Sequence, residues 1–468
     1  MVFIFNPDRE MVSNLEAEKH YLKKFGARLL SEANDLKRTP EALAEEIGWE
    51  IEEVAKVIQG ECSETKSIEL ARAMVKHYPI SLHDVWVERD DTDGGVRVLR
   101  ARDAERSSRV FERPTGNGGS SPYYEYRDAA MSRLAPYRPE WIKELRYVSD
   151  SDPLNKEVVF NHGHLMHQVT FFIGKVNFYW KDNGQTFCKE MNTGDSCYIT
   201  PFVPHSFTAR SELSEALIIA VTFGDMVKAA QASLSHVSSQ QLSRVTGHSE
   251  NYHSNFSAKL RRYCEEASIR PESLIDLLIA KGLTHERALA IVNNEDVPDE
   301  QEALHLSQIL DMRPTDFAVS NEHEDKKVVI RHASEEEERP YPSRQNPVCF
   351  LTELARNRHI PSLRSFVIRF KGPTSDHVDF EIGLHQFLYN YGEETIFLKY
   401  GASPSIEIHP GDSAYIRPFS RYALSGPTNA TLLAVRIPGQ LTGAVFDELS
   451  RYGADGVDRV VMETKKWF

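Results

Sequence analysis

The chain has 468 residues, 41% of them hydrophobic and 26% charged, with a formal net charge of −14. That length asks for two or more domains with cores of their own, and the composition is that of a globular protein in water. No apolar run approaches the roughly 20 residues that span a bilayer. The acidic balance argues against nonspecific attraction to nucleic acid or anionic lipid, so an anionic small substrate would need a local basic pocket. The opening Met1-Val-Phe-Ile-Phe-Asn-Pro-Asp8 lacks a basic segment leading into an apolar stretch, so a cytoplasmic location is expected. The five cysteines (Cys62, Cys188, Cys197, Cys264 and Cys349) are odd in number and have no Cys-x-x-Cys spacing, which reads as reduced thiols and not as a metal site.

In chain order, Asp35-Leu-Lys-Arg-Thr-Pro-Glu-Ala-Leu-Ala-Glu-Glu-Ile-Gly48 runs into Trp49-Glu-Ile-Glu-Glu-Val-Ala-Lys-Val-Ile58. Apolar residues recur at helical spacing on both sides of Gly48, which predicts a helix-turn-helix. Short alternating strands follow, divided by turns such as Asp182-Asn-Gly184 and Thr193-Gly-Asp195, and predict a small β-barrel. A weaker helix-turn-helix copy lies at Ser273–Ala290, and a second strand-rich segment closes the chain. His167-Gln-Val-Thr-Phe-Phe-Ile-Gly174 matches His385-Gln-Phe-Leu-Tyr-Asn-Tyr-Gly392, and Gly194-Asp-Ser-Cys-Tyr-Ile-Thr-Pro-Phe202 matches Gly411-Asp-Ser-Ala-Tyr-Ile-Arg-Pro-Phe419. The expected fold class is therefore α+β, with a tandem duplication of an all-α helical domain and an all-β barrel. The domains read as 1–95, helical; 96–240, the metal-binding barrel; 241–325, helical; and 326–468, a barrel without metal ligands.

The chemistry concentrates in Asn161-His-Gly-His-Leu-Met-His-Gln168 and in Thr200-Pro-Phe-Val-Pro-His205. Strand alternation over the first segment would put His162, His164, Met166 and Gln168 on one face. Two imidazoles and one oxygen donor, with coordination positions left open, are the arrangement of non-haem Fe(II) oxygenases, and the donor types suit Fe, Mn, Co or Ni better than a closed structural zinc site. A carboxamide in place of a carboxylate leaves such a site one unit more positive, which favours an anionic substrate beside the ion. His162 shares the expected face and is a candidate fourth ligand, whereas His167 points to the other side and reads as structural. The second copy has Ile382 where His164 stands and Tyr422 where His205 stands, and keeps only Gln386 opposite Gln168. One working site per chain is expected, with Gln168→Ala sharply weakening activity and Gln386→Ala leaving it nearly intact.

The spacing His162-x-His164-x-x-x-Gln168 with Pro-x-x-Pro-His205 resembles the two motifs of the cupins, in which a Glu usually stands at the Gln168 position. A helix-turn-helix and cupin fused and duplicated, with Asn161-His-Gly-His-Leu165 and Ile199-Thr-Pro-Phe-Val-Pro-His-Ser-Phe207, resembles the phosphonate oxygenases over essentially the whole chain. The branch that releases hydroxymethylphosphonate and formate carries a Glu ligand six residues before the second His, where this chain has Ile199. The methylphosphonate-forming branch instead supplies a Gln four residues after the first His, as Gln168 does here.

The resemblance implies His164, Gln168 and His205 as ligands of one Fe(II) per chain, with O2 as co-substrate and no 2-oxoglutarate. It implies 2-hydroxyethylphosphonate as substrate, and methylphosphonate with carbon dioxide or bicarbonate as products. Asn161 and Tyr126 match phosphonate-binding positions. Arg113 falls near a phosphonate-binding Arg, with Arg109 as a rival. Lys37 matches a lysine that reaches the site, in its own chain or from a neighbouring subunit of a homo-oligomer (dimer or tetramer). A phosphonate dianion wants such donors: Lys and Arg for charge, Tyr and Asn as neutral partners. Two other readings compete. A DNA-binding regulator is disfavoured because Trp49–Glu61 carries four Glu and one Lys, the wrong charge for a recognition helix. A Zn or Mn cupin isomerase or hydrolase would work without O2.

Overall fold

A computed structural model describes residues 7–115, 118–224, 226–246, 252–317, 327–358, 360, 363–373, 377–402 and 404–462. The chain divides into two compact units, one of residues 1–223, 330–356 and 360–468, the other of residues 224–329 and 357–359. The expected domain boundary at 325/326 lies outside the described residues, and residues 224–240, expected with the first barrel, group with the second unit.

The helix-turn-helix of the first unit consists of Pro40–Ile47 and Ile51–Gln59. Thr39 caps the first helix by accepting from the Ala42 amide, and Gly48, at φ 72°, ends it in the left-handed conformation that favours glycine. The long helix Pro7–Asp35 closes over this pair at Gly26, where a Cβ would stand 2.4 Å from the carbonyl oxygens of Val57 and Ile58. Phe25, Leu29, Leu43, Val54, Val57 and Leu70 fill the core between them. Glu52, Glu53 and Lys56 face solvent on the second helix of the pair. In the other unit, Tyr252–Glu266, Pro271–Ala280, His285–Val292 and Glu300–Leu310 pack around Phe256, Leu260, Leu278, Ile291 and Leu306. Thr284 and Asp299 cap the last two of these helices. Among the described residues no helix is long and apolar enough to cross a membrane.

Two β-sheet pairs make up most of the rest of the first unit, which takes up the strand Val328–Arg331 from Ile330 on. One seven-stranded sheet runs Val328–Arg331, Ser196–Ile199, His167–Ile173, Leu217–Phe223, Tyr137–Glu144, Ser120–Asp128, Arg109–Pro114. Its inner face packs on the three-stranded sheet Gln185–Met191, Val176–Asp182, His205–Ala209 through rings such as Phe172, Phe178 and Phe207. The other seven-stranded sheet runs Val96–Leu99, Ser413–Ile416, His385–Tyr389, Thr431–Ile437, Arg364–Phe370, Cys349–Glu353, Arg339–Tyr341, and shares a core with the four strands between Val378 and Ser425.

Strand Val96–Leu99, expected in the first barrel, pairs instead with Ser413–Ile416 of the second. Asp412 secures the chain just beyond it, accepting from the Ala101 amide (2.8 Å) and from Arg100 Nη1 (2.6 Å). Asp195 does the same in the first barrel, accepting from the Ala333 amide (2.9 Å) and from His332 Nδ1 (3.1 Å). Each Gly-Asp turn thus anchors a segment that precedes the other barrel in sequence. The outer faces of the large sheets meet through Tyr137, Phe171, Phe387, Tyr391 and Tyr415. That contact is also pinned twice in the same way, with Ser413 Oγ accepting from the Ala130 amide and Ser196 Oγ from the Ala355 amide.

Candidate metal centre

The first barrel holds a cavity of about 200 Å3 lined by residues of six strands and of the loop before His167. Gln168 enters it from strand His167–Ile173 and His205 from the first position of His205–Ala209. His164, Asn161 and Met166 come from the loop before His167. Tyr124 and Tyr126 come from Ser120–Asp128, Glu140 and Ile142 from Tyr137–Glu144, and Arg113 from Arg109–Pro114.

The alternation expected over residues 161–168 does not occur, because the strand begins only at His167. Gly163, at φ 72°, turns the chain where a Cβ would stand 2.5 Å from the Phe202 backbone, and Asn161 Oδ1 accepts from the Gly163 amide (3.0 Å). The Phe202 amide then donates to His164 O (2.9 Å), which ties the loop to the segment leading into His205. In consequence His162 is exposed and does not line the cavity, while His164 does. His167 lies outside the cavity, hydrogen-bonded to the Tyr198 hydroxyl and stacked on Phe223.

Hydrogen bonds set the donor atoms. His164 Nδ1 lies 2.8 Å from Met166 O, and His205 Nδ1 lies 2.8 Å from Val203 O. Each Nδ1–H donates to its carbonyl, so each Nε2 carries its lone pair on the cavity side, that of His205 accepting from Asn161 Nδ2 (3.0 Å). Burial, reinforced by His164 nearby, lowers the pKa of His205 to about 4, which keeps its imidazole neutral and able to bind a metal at neutral pH. Gln168 Nε2 donates to Thr170 Oγ1 (2.8 Å), which turns Gln168 Oε1 toward His164 Nε2 at 3.2 Å. Two acceptors therefore face each other across that gap. The other His164 tautomer only moves the opposition to Met166 O.

A cation between the two acceptors removes the conflict. Two donors about 2.1 Å from one ion at a right angle stand about 3.0 Å apart, so the observed separation fits. The His164 and His205 rings are nearly perpendicular, with centroids 5.4 Å apart. Among the described residues no group of three His, Cys, Asp or Glu side chains could hold a metal ion. The third donor of this set is the Gln168 amide.

The remaining lining is suited to an anion. Asn161 Oδ1 accepts from the Gly163 and His205 amides, which leaves its Nδ2 to point at His205 Nε2, 3.0 Å away. Burial keeps the Tyr126 hydroxyl protonated, since its pKa is raised far above the usual tyrosine range, with Glu140 and Glu144 adding to the effect. Arg113 lines the cavity, whereas its rival Arg109 donates to Asp128 Oδ1 (2.8 Å) on the surface. Lys37 does not line the cavity of its own chain, and its Nζ donates to Asn34 O (3.4 Å). No motif singles out Glu140, Ile142, Thr170 or Thr222. Alternation along Tyr137–Glu144 could have flagged Glu140, and the Thr170/Leu388 mismatch between the copies could have flagged Thr170.

In the second barrel a side chain takes the place of a cation. Gln386 Oε1 accepts from the Tyr422 hydroxyl (2.6 Å) and from Arg436 Nε (3.0 Å). Arg436 pairs with Gln386 across the sheet as Thr222 pairs with Gln168.

No protein-family model matches the chain. It is 35% identical over 465 residues to the methylphosphonate synthase of Nitrosopumilus maritimus (strain SCM1), covering 96% of each. The chain belongs to the methylphosphonate synthase family. Among solved structures, it superposes on Streptomyces albus HEPD, determined with 2-hydroxyethylphosphonate and Fe(II) bound, with a TM-score of 0.85 and 31% identity over 96% of this chain and 99% of that one. PhpD with cadmium atoms matches with a TM-score of 0.72 at 17% identity, over 93% and 99% of the two chains, and shares the fold. Within the methylphosphonate synthase family, then, this chain presents His164, His205 and the Gln168 amide oxygen around one cavity.

Proposed function

We propose that the chain is an Fe(II)-dependent oxygenase that cleaves the C–C bond of 2-hydroxyethylphosphonate with O2 to give methylphosphonate and bicarbonate. One observation carries the choice of product. Gln168 stands directly across the sheet from Ile199, which is fully buried, so an amide occupies the centre and no carboxylate can reach it from that strand. The family relationship and the structural likeness to HEPD support the substrate and the metal. One substrate and one O2 balance methylphosphonate plus bicarbonate: the carbon that leaves is oxidised, the carbon that stays gains a hydrogen, and no 2-oxoglutarate is required.

His164, His205 and Gln168 would hold the iron. Bound Fe(II) would supply O2 activation and a Lewis-acid anchor for the substrate. The protein's part is to bind and orient. Arg113 gives the phosphonate a charge-assisted, fork-shaped donor. Tyr126 stays a donor at any working pH because burial holds its proton, and Asn161 offers only its NH2 because two backbone amides occupy its oxygen. The barrel walls, Ile142, Phe207 and Met166 among them, shield the reacting carbon from bulk water. Lys37, absent from the cavity of its own chain, fits a contribution from a neighbouring copy in a homo-oligomer. The matched pins at Asp195 and Asp412, and at Ser196 and Ser413, support a tandem duplication in which only the first barrel kept its chemistry.

The test is anaerobic reconstitution with Fe(II), followed by O2 and carbon-13-labelled 2-hydroxyethylphosphonate, read by phosphorus and carbon NMR. Methylphosphonate with labelled bicarbonate is expected. Hydroxymethylphosphonate with formate would show that the Gln168/Ile199 pair does not decide the product. Unchanged substrate with iron bound would overturn the substrate assignment.

A further inference from the structure

A glutamine can serve as a metal ligand only if its oxygen, and not its NH2, faces the ion. A carboxylate has no such problem, because its two oxygens are equivalent. In this cavity the local preference runs the wrong way. His164 Nε2 carries a lone pair toward Gln168, so with no ion bound a carboxamide turned over by half a rotation would donate its NH2 to that lone pair. That orientation would cap one ligand and misdirect another.

Thr170 opposes the flip. Its hydroxyl, fully buried two residues along the same strand face, accepts from Gln168 Nε2 at 2.8 Å. The hydroxyl also hydrogen-bonds the Cys197 sulfur, which lies directly across the sheet from Thr170. Because Gln168 Nε2 donates to it, Thr170 presents a lone pair to the amide NH2 and keeps its own proton for the Cys197 sulfur. A flipped Gln168 would place its oxygen on the Thr170 hydroxyl, which would then have to turn its proton from Cys197 to the amide, so the buried chain from Cys197 through Thr170 to Gln168 favours the amide oxygen toward the cavity.

The second barrel supplies a comparison within the same chain. Leu388 stands where Thr170 does and Ala414 where Cys197 does, and there Gln386 Nε2 has no hydrogen-bond partner among the described residues. Gln386 takes its orientation from the donors Tyr422 and Arg436 instead. The lock is present where the metal ligands are present and missing where they are missing.

We propose that Thr170 is a positioning residue that fixes the Gln168 carboxamide with its oxygen toward the metal position, and so makes an amide usable as a ligand in this barrel. The proposal rests on the reading of Gln168 as a ligand, and the experiment separates the two. Apo protein is titrated anaerobically with Fe(II), and with Co(II) while its visible absorption is followed, in wild type, Thr170→Val, Thr170→Ser, Gln168→Ala, Gln168→Glu and the double variant Thr170→Val/Gln168→Glu. Urea unfolding of each apo protein serves as the folding control. Loss of an outer partner of a metal ligand weakens metal binding about 10- to 100-fold. That loss is expected for Thr170→Val, together with a changed Co(II) spectrum, while Thr170→Ser keeps the hydroxyl and binds as wild type does. In the Gln168→Glu background, removing Thr170 should hardly change the affinity, because either carboxylate oxygen can bind. Wild-type affinity in Thr170→Val overturns the lock. An equal loss in both backgrounds also overturns it, by showing that Thr170 only supports the strand. Wild-type affinity in Gln168→Ala overturns the ligand assignment beneath it.

Discussion

The two glutamines that match between the barrels should fail in opposite ways when truncated. Both are buried, Gln168 at 4% exposure and Gln386 at 0%, so the cavity terms of the two Ala substitutions are alike and largely cancel in the comparison. What differs is the hydrogen bonding. Gln386 Oε1 accepts from a hydroxyl and from the Arg436 guanidinium. A neutral hydrogen bond contributes about 1 kcal/mol and one to a charged group about 1.5–3 kcal/mol. Gln386→Ala therefore forfeits about 3 kcal/mol and strands a half-buried cation. Gln168 in the metal-free protein makes one neutral bond, to Thr170, while its oxygen faces a lone pair, so Gln168→Ala should cost about 1 kcal/mol or less in hydrogen bonding. Urea unfolding of the two apo variants should thus differ by about 2 kcal/mol, with Gln386→Ala the weaker. Anaerobic Fe(II) titration should show the reverse order: Gln168→Ala loses the metal and the activity, and folded Gln386→Ala keeps both. Equal destabilisation by the two changes, or a folded Gln386→Ala that no longer binds Fe(II), would refute the assignment of metal to one barrel and arginine to the other.

Other perturbations test the remaining residues. Lys37 sits at φ 59°, at the left-handed position that ends helix Pro7–Asp35, with the Arg38 amide donating to Ala33 O (2.8 Å). Glycine is at ease there, so Lys37→Gly should raise stability by up to about 1 kcal/mol while lowering turnover. Mixing Lys37→Gly with Gln168→Ala protein should restore activity if Lys37 serves a neighbouring copy, and no recovery after subunit exchange would place it in its own chain. Arg113→Ala should raise KM for the phosphonate at least tenfold, whereas Arg109→Ala, which breaks an exposed pair with Asp128, should leave kinetics and stability nearly unchanged; the opposite pattern would exchange their roles. Glu144 is fully buried with no hydrogen-bond partner for either carboxyl oxygen among the described residues, and burial raises its pKa well above the usual range. The native state then holds a proton that the unfolded chain releases near pH 4.3, so this group lowers stability as pH rises above that value. Glu144→Gln should accordingly match wild type near pH 4 and become more stable than it by pH 8; a gain independent of pH would show that Glu144 does not titrate in this way.

Much of the site was legible because its chemistry is written in residue types at fixed spacing. His164, Gln168 and His205 could be paired with Ile382, Gln386 and Tyr422 by aligning the chain with itself, and the bonds from the Phe202 amide to His164 O and from the Phe419 amide to Ile382 O fall at paired positions of that alignment. The strand start was misplaced because alternation across Asn161–Gln168 hides an Asn161–Gly163 turn that only the approach of Phe202 makes necessary. The crossing of Val96–Leu99 to the second sheet was not legible either, since an alternating strand states which face is apolar and not which sheet it will join.

Arg436 is the more instructive omission. In sequence it is one arginine in an apolar strand, and the loss of two histidines from its barrel reads as simple decay. In the fold its guanidinium meets the amide oxygen that matches Gln168, and Phe366 and Phe380 lie beneath it at 5.2 Å. An inward-facing glutamine at the mouth of such a barrel needs positive charge or a donor in front of its oxygen. One barrel meets the need with a fixed side chain, and the other leaves the place open for an exchangeable ion and holds its amide in wait with Thr170. The Gln386 oxygen thus has its donors without a metal. The physical reason to expect only one metal per chain is that the second position already has its cation.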